Sequence, residues 1–140
     1  MDTTKIYIKM RIAAIPDLGN GIPMLSTFCS ENYHFIDDKD DDVWIDQKGD
    51  WYVFMENIPP APHGDYDNVR VCQLERQDQL QEMVWRKRGN ALEALWTDFM
   101  VWVRETTWVD YFISFEQLWL AFVMLELHYK KWSGTEWVKR

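Results

Sequence analysis

The first patterned stretch of the chain, residues 5 to 12, alternates between apolar side chains and polar or basic ones. Its even positions hold Ile or Met, and its odd positions hold Lys, Tyr or Arg. Strict alternation of this kind is typical of a strand that buries one face and exposes the other. The pattern therefore predicts a first strand over residues 5 to 12, with a basic outer face.

Further strands are predicted between residues 33 and 74. The segments 43–46 and 51–58 are rich in aromatic and β-branched residues, and the short polar connection between them contains Gly49, which is the arrangement of a β-hairpin. Prolines 59, 60 and 62 end the second strand of this hairpin. Residues 33–36 and 68–74 are also interpreted as strands, the latter from its β-branched residues.

After residue 74 the apolar period becomes helical. Residues 75–88 combine apolar positions at helical spacing with a basic last turn, and residues 90–106 form a second predicted helix. Six residues make up the apolar side of that second helix: Leu92, Leu95, Trp96, Phe99, Trp102 and Val103. Ser114, with Gln117 three residues later, has the pattern of a capping box and predicts the start of a third helix.

This third helix, predicted to end at Trp132, is apolar on two opposite sides. One side is a row that suits the core: Leu118, Phe122, Leu125, Tyr129 and Trp132. The other side carries Trp119, Val123 and Leu127, which need cover from the same chain or from a second copy of it. Of the two, a homodimer through these three residues is the favoured interpretation.

The order of strands followed by helices predicts an α+β fold. In the expected architecture, an N-terminal antiparallel sheet of about four strands is followed by about three C-terminal helices packed on it. A length of 140 residues suits one domain. Residues 1–140 are thus expected to form a single domain with mainly strands over 1–74, mainly helices over 75–133, and a tail over 134–140.

Composition narrows the cellular setting. Cys29 and Cys72 are the two cysteines of the chain, and no apolar signal region precedes the first pattern, which indicates free thiols in a reducing cytoplasm. No stretch approaches the ~18 uninterrupted apolar residues of a membrane span, so no membrane association is expected. The nine Trp exceed what a core of this size easily uses, and some of them are candidates for a recognition surface.

The formal net charge of −8 lies entirely in the first half of the chain. Residues 1–67 hold 5 Lys or Arg against 13 Asp or Glu, and residues 68–140 hold 10 against 10. This field repels nucleic acid and attracts a basic protein. The candidate partner-binding residues are the acidic run and the aromatic residues of the neighbouring hairpin: Asp37, Asp38, Asp40, Asp41, Asp42, Trp44, Trp51 and Tyr52.

Candidate chemistry is sparse. Asp38, Asp40 and Asp42 fit the first positions of a calcium-binding EF-hand loop, but Val43 and Gly49 stand where its Gly and Glu belong. The cluster of His63, Asp65 and Asp67 matches no metal-ligand spacing, and the pair Cys29 and His34 has no catalytic motif around it. No catalytic residue, metal site or cofactor is therefore predicted.

These observations favour a small acidic protein-binding module without catalysis, which neutralises or inhibits a basic partner in the manner of an immunity protein, an antitoxin or a phage anti-defence protein. Two other interpretations stay open. One is a small-molecule-binding protein or enzyme with its site between the aromatic hairpin and the helices. The other is a homo-oligomeric structural or assembly protein.

Overall fold

The structure, a computed structural model, describes residues 2–19, 21, 33–37, 43–46, 48–54, 71–89, 91–106 and 111–140. It divides into two compact units, an N-terminal unit (Thr3–Glu75) and a helical unit (Met1–Asp2 with Arg76–Arg140). The elements in chain order are α1 (Lys5–Ala13), α2 (Ile15–Leu18), β1 (Tyr33–Asp37), β2 (Val43–Asp46), β3 (Trp51–Phe54), β4 (Val71–Leu74), α3 (Gln77–Arg88), α4 (Leu92–Glu105), α5 (Phe115–His128), β5 (Lys130–Trp132) and β6 (Trp137–Lys139).

The segment predicted as the first strand is a helix. The Thr4 side chain caps α1 by accepting a hydrogen bond from the Tyr7 backbone N–H. Tyr7, Met10 and Arg11 are buried at helical spacing, so two side chains assigned to the outer face of a strand point inward instead. The prediction for residues 5–12 is wrong because the alternation pattern counts every arginine as an exposed position, whereas Arg11 is buried in an ion pair.

The predicted fold class is wrong as a whole, although the content is mixed α and β. The chain opens with a helix, and strands occur in both its N-terminal and C-terminal parts instead of in one N-terminal sheet. Helices do occupy the three segments in which they were predicted beyond residue 75, as α3, α4 and α5. The expected C-terminal tail contains the strand β6, paired with β5.

In the N-terminal unit, β1 to β4 pair antiparallel in chain order. The predicted hairpin of β2 and β3 is confirmed, and Gly49 in its connection takes a φ of 83° that favours glycine. Val53 and Cys72 pair across β3 and β4 and are buried on the face that forms the core. Helix α1 packs against β4, which completes this core.

In the helical unit, α5 is buried on all sides. Its buried side chains run without interruption from Trp119 to Leu125. The Phe99 ring of α4 stacks on the Trp119 ring with centroids 3.9 Å apart and planes 7° from parallel. Phe122 meets both rings edge-on, at 5.4 Å from Phe99 and 5.6 Å from Trp119. Cover from within the chain is therefore the correct alternative for the second apolar side of this helix.

Helix α5 ends earlier than predicted. Tyr129 follows its last residue with a φ of 54° in the left-handed region, and its backbone N–H bonds to the Leu125 carbonyl. Trp132, predicted as the last core position of the helix, instead packs on Trp137 of β6, with ring centroids 5.0 Å apart. Pairing between the two tryptophans across the hairpin explains why the helix stops short of Trp132.

Ser114 caps the start of α5 as predicted, and Asp2 adds further hydrogen bonds there. The Ser114 side chain caps the helix by accepting a hydrogen bond from the Gln117 backbone N–H at 3.1 Å. The buried carboxylate of Asp2 accepts from the Ser114 hydroxyl at 2.5 Å and from the Gln117 side-chain amide at 2.8 Å. A carboxylate at a helix N-terminus also interacts favourably with the helix dipole. Asp2 thus anchors the N-terminus of the chain to α5.

None of the helices within the described ranges combines the length and the apolar character needed to cross a membrane.

We expect Asp2→Ala to lower the free energy of unfolding by about 1–3 kcal/mol, because it leaves the buried Gln117 amide and the half-buried Ser114 hydroxyl without their acceptor. Urea unfolding followed by tryptophan fluorescence measures the loss. Thr3→Ala, a truncation of the exposed neighbour, is the matched control. Equal stability of the two variants would show that the Asp2 contacts contribute nothing.

Candidate interaction surface

A buried ion pair organises the N-terminal unit. The Arg11 guanidinium and the Glu75 carboxylate face each other through two hydrogen bonds, from Nε to Oε2 at 2.5 Å and from Nη2 to Oε1 at 2.8 Å. The two side chains are 0% and 2% exposed. Tyr7 donates its hydroxyl to the Glu75 backbone carbonyl at 2.6 Å. A buried charge pair of this kind is stable only because its geometry is bidentate.

Cys72 lies inside the same cluster as a free and fully buried thiol. Burial raises the pKa of the Cys72 thiol to about 12, the Arg11 guanidinium opposes this shift, and the Glu75 carboxylate adds to it. A thiol with so high a pKa is protonated at neutral pH and is a poor nucleophile. The cluster therefore has the properties of a structural core and does not supply a reactive group.

The predicted partner-binding residues are placed only in part. Asp37 ends β1, and Trp44 lies in β2 opposite Tyr52 of β3. Tyr52 is buried at 8% exposure and Trp51 is half-buried, so these two side chains offer little surface to a partner. The other predicted carboxylates lie outside the described residues: Asp38, Asp40, Asp41 and Asp42.

The strands on either side of residues 38–42 are described. Asp37 at the end of β1 pairs with Val43 at the start of β2, after a break in the strand register. Sequence reasoning placed this run in a connection between strands, and residues 38–42 themselves lie outside the described residues.

The predicted oligomer-interface residues are largely internal. Trp119 and Val123 are 1% and 0% exposed within a single copy of the chain, and Leu127 is half-buried. Trp119 is covered by residues of the helical unit, with Phe99 stacked on its ring. Buried to this extent, Trp119 and Val123 cannot contact a second copy.

Helix α4 exposes the apolar surface that was expected on α5. Only Leu95 and Phe99 of this helix are buried. Leu92 and Trp96, predicted on its core side, are 62% and 46% exposed. Two more large apolar residues of α4, Met100 and Val101, are 38% and 43% exposed. Clustered exposed apolar side chains of this size mark interaction sites in soluble domains.

A cavity of about 340 Å³ opens beside this surface. Its wall is mainly apolar and includes the indole rings of Trp96 and Trp119, whose centroids are 6.5 Å apart. Among the described residues that line it, only Glu93 is charged. Sequence periodicity missed this site because the spacing of Leu92 and Trp96 predicts core positions. Leu92 and Trp96 are exposed because α5 contacts α4 only along a narrow row, and the sequence pattern does not show how wide that contact is.

Arg88 holds the other side of α4 in place. Its guanidinium lies 2.7 Å from the Asp98 carboxylate of α4 and 3.4 Å from the Glu126 carboxylate of α5. A second, polar cavity of about 390 Å³ lies along these charges. Its charged lining combines the basic Arg88 and Arg140 with the acidic Asp98, Glu105 and Glu126.

The structure describes only one of the remaining candidates from the sequence. Cys29, His63, Asp65 and Asp67 lie outside the described residues, and His34 stands in β1. Among the residues that the structure covers, no group of three or more His, Cys, Asp or Glu side chains is placed to hold a metal ion.

Comparisons with protein-family models, with curated proteins and with solved structures each found no match.

Removing one partner of the buried ion pair should be strongly destabilising. We expect Glu75→Gln or Arg11→Met to lower the free energy of unfolding by about 3–5 kcal/mol, because either change leaves a buried polar group or charge uncompensated. The double variant Arg11→Met with Glu75→Leu removes both charges and should recover most of that loss. Urea titrations of the wild type and these variants test this, and additive losses in the double variant would contradict it.

The Cys72 thiol should make stability fall at high pH. Its folded pKa of about 12 lies above the ordinary 9.0, so the folded state holds the proton more tightly than the unfolded chain does. This contribution is complete below pH 9 and is lost as the pH rises towards 12, by about 2 kcal/mol at pH 10.5.

The measurement is the difference in unfolding free energy between the wild type and Cys72→Ala across this pH range. Titration of Lys and Tyr cancels in the difference, whereas the thiol contribution remains. Parallel pH dependences would show that Cys72 is not coupled to folding.

Proposed function

We propose that this chain is a small acidic protein-binding module that acts in the cytoplasm and neutralises or inhibits a basic protein partner. Immunity proteins, antitoxins and phage anti-defence proteins act in this way. Binding alone is proposed, and no reaction is assigned to the chain.

The distribution of charge is the observation that supports this proposal. Residues 3–75 hold 6 Lys or Arg against 13 Asp or Glu, a net −7, while Asp2 with residues 76–140 holds 9 against 10, a net −1. Five of the six residues 37–42 are Asp. Asp37, the first of these five, ends β1 and pairs with Val43 of β2.

Such a concentration of charge acts mainly on the rate of association. Carboxylates on a partner-facing surface attract a basic protein over roughly the Debye length, about 8 Å at physiological ionic strength. The same carboxylates contribute little to folding while they are solvated. Electrostatic steering of this kind is therefore separable from stability by mutation.

The first experiment is capture of partners from the native host on the immobilised chain. The triple variant Asp40→Asn, Asp41→Asn and Asp42→Asn serves as the comparison. A basic protein retained at low salt by the wild type, and not by this variant, is the expected result.

With that protein in hand, the triple variant should associate several-fold more slowly than the wild type at low salt, and its association rate should depend less on salt. Its unfolding free energy should match the wild type, because the affected carboxylates are expected to be solvated. Surface plasmon resonance over a salt series and urea unfolding provide the two measurements.

A matched control carries the same change in net charge elsewhere. Glu82→Gln, Glu105→Gln and Glu136→Gln also remove three carboxylates, all of them from exposed positions in the helical unit. This control should associate nearly as fast as the wild type. Equal rates for both triple variants would attribute the effect to net charge alone, and an acidic partner would contradict the proposal.

A further inference from the structure

The exposed face of α4 carries an unusual pattern of charge. Glu93, Thr97, Met100 and Arg104 follow one another at helical spacing, and all four are exposed. At 100° per residue, Glu93 and Arg104 point within about 20° of each other, and about 16 Å of helix axis separates them. This face therefore has the acidic Glu93 near the start of the helix and the basic Arg104 near its end, with Met100 between them.

Neither end of this face is paired within one copy. Among the described residues, Glu93 and Arg104 have no ion-pair partner, whereas Arg88 and Asp98 on the far side of the same helix are paired. Trp96 and Val101, which flank the face, are 46% and 43% exposed. An exposed apolar patch with an unpaired acid at one end and an unpaired base at the other is suited to bind a second surface of matching charge.

A second copy of the chain supplies that complement. If two α4 helices lie antiparallel about a two-fold axis midway between Glu93 and Arg104, each Glu93 faces the partner's Arg104. In the same register Trp96 faces the partner's Val101, and Thr97 faces the partner's Met100. A surface that matches itself under a two-fold rotation is the requirement for an isologous dimer.

We propose that two copies of this chain form a dimer through α4, with the Arg104 side chain of each copy seated against Glu93 and Trp96 of the other. The cavity of about 340 Å³ beside Trp96 has room for that side chain. Its indole wall and its carboxylate suit a guanidinium, which combines stacking on an aromatic face with a salt bridge.

The distribution of net charge between the two units favours a contact through the helical unit. The helical unit has a net charge of −1, from 9 basic and 10 acidic residues, whereas the N-terminal unit has −7. Two copies that meet through their nearly neutral units bring little net charge of one sign into the contact itself. The dimer is independent of the proposed function and does not require the basic partner.

A simpler explanation exists for the same two charges. An acid in the first turn and a base in the last turn of a helix each complement the helix dipole, and Glu93 and Arg104 occupy these turns. That explanation predicts no dimer and no interaction between the two residues across copies. Charge-reversed variants distinguish it from the proposed dimer.

The test uses two single charge reversals in the full chain, Glu93→Lys and Arg104→Glu. Each variant alone places like charges at both ends of the dimer contact and should weaken dimerisation about tenfold or more. An equimolar mixture of the two variants should restore the dimer, because the reversed charges then face each other at one end and the unchanged acid and base face each other at the other end. Sedimentation velocity between about 10 μM and 1 mM, the range for a small interface, measures the association.

Glu136→Lys, in the connection between β5 and β6, is the matched control. It makes the same charge reversal at an exposed position on another element, and it should dimerise as the wild type does. Circular dichroism and urea unfolding of every variant establish that the helices are intact. Restoration by mixing cannot arise from unfolded single variants.

Three outcomes would overturn the proposal. A wild type that remains monomeric at about 1 mM would favour the helix-dipole explanation. Single reversals that dimerise as well as the wild type would place the contact on another face. Single reversals that do not recover on mixing would show that Glu93 and Arg104 do not meet across the interface.

Discussion

The N-terminal unit depends on the burial of one guanidinium. Glu75 accepts from Arg11 through its carboxylate and from Tyr7 through its backbone carbonyl, so two side chains four residues apart must reach the same residue. In a strand these positions are about 13 Å apart on one face, and in a helix they are about 6 Å apart. Only the helix brings both to Glu75. The alternation of residues 5–12 is overridden by this requirement, because an unpaired buried arginine costs more than a lost strand pattern.

The helical unit depends on aromatic packing rather than on buried charge. Trp119 and Phe122 of α5 contact Phe99 of α4, and this narrow row is nearly all that α4 buries. Polar interactions secure the ends of the helices instead: Asp2 holds the start of α5, and Arg88 joins the end of α3 to α4 and α5. Because one row of α4 satisfies the core, the rest of a helix rich in Trp, Met and Val is left at the surface.

Local signals in the sequence proved sufficient for local structure. The Ser114 cap, the hairpin around Gly49 and the basic end of α3 before Gly89 are all determined by neighbouring residues, and the structure has each of them. Failures occurred where distant partners decide: Glu75 turns residues 5–12 into a helix, and Trp137 draws Trp132 into a strand. Periodicity missed the exposed apolar side of α4 for the same reason. A helical period identifies apolar rows on α4 and α5, but which row is covered depends on the packing of one helix on another.

The two proposed surfaces of this chain have opposite electrostatic requirements. A surface that recruits a basic partner gains from a large, unbalanced field, and residues 3–75 carry net −7. A surface that pairs with a second copy of itself requires equal numbers of positive and negative charges. Any excess charge on it would be repelled by the same excess on the second copy. On α4 the acid at one end of the face is matched by the base at the other, so the face is neutral although the chain is not. Salt should consequently act on the proposed dimer in two ways, by screening repulsion between the two acidic chains and by weakening the Glu93 to Arg104 contacts. Long-range repulsion is screened first, since it acts beyond a Debye length of about 8 Å, and moderate salt should therefore strengthen a dimer of this kind before high salt weakens it.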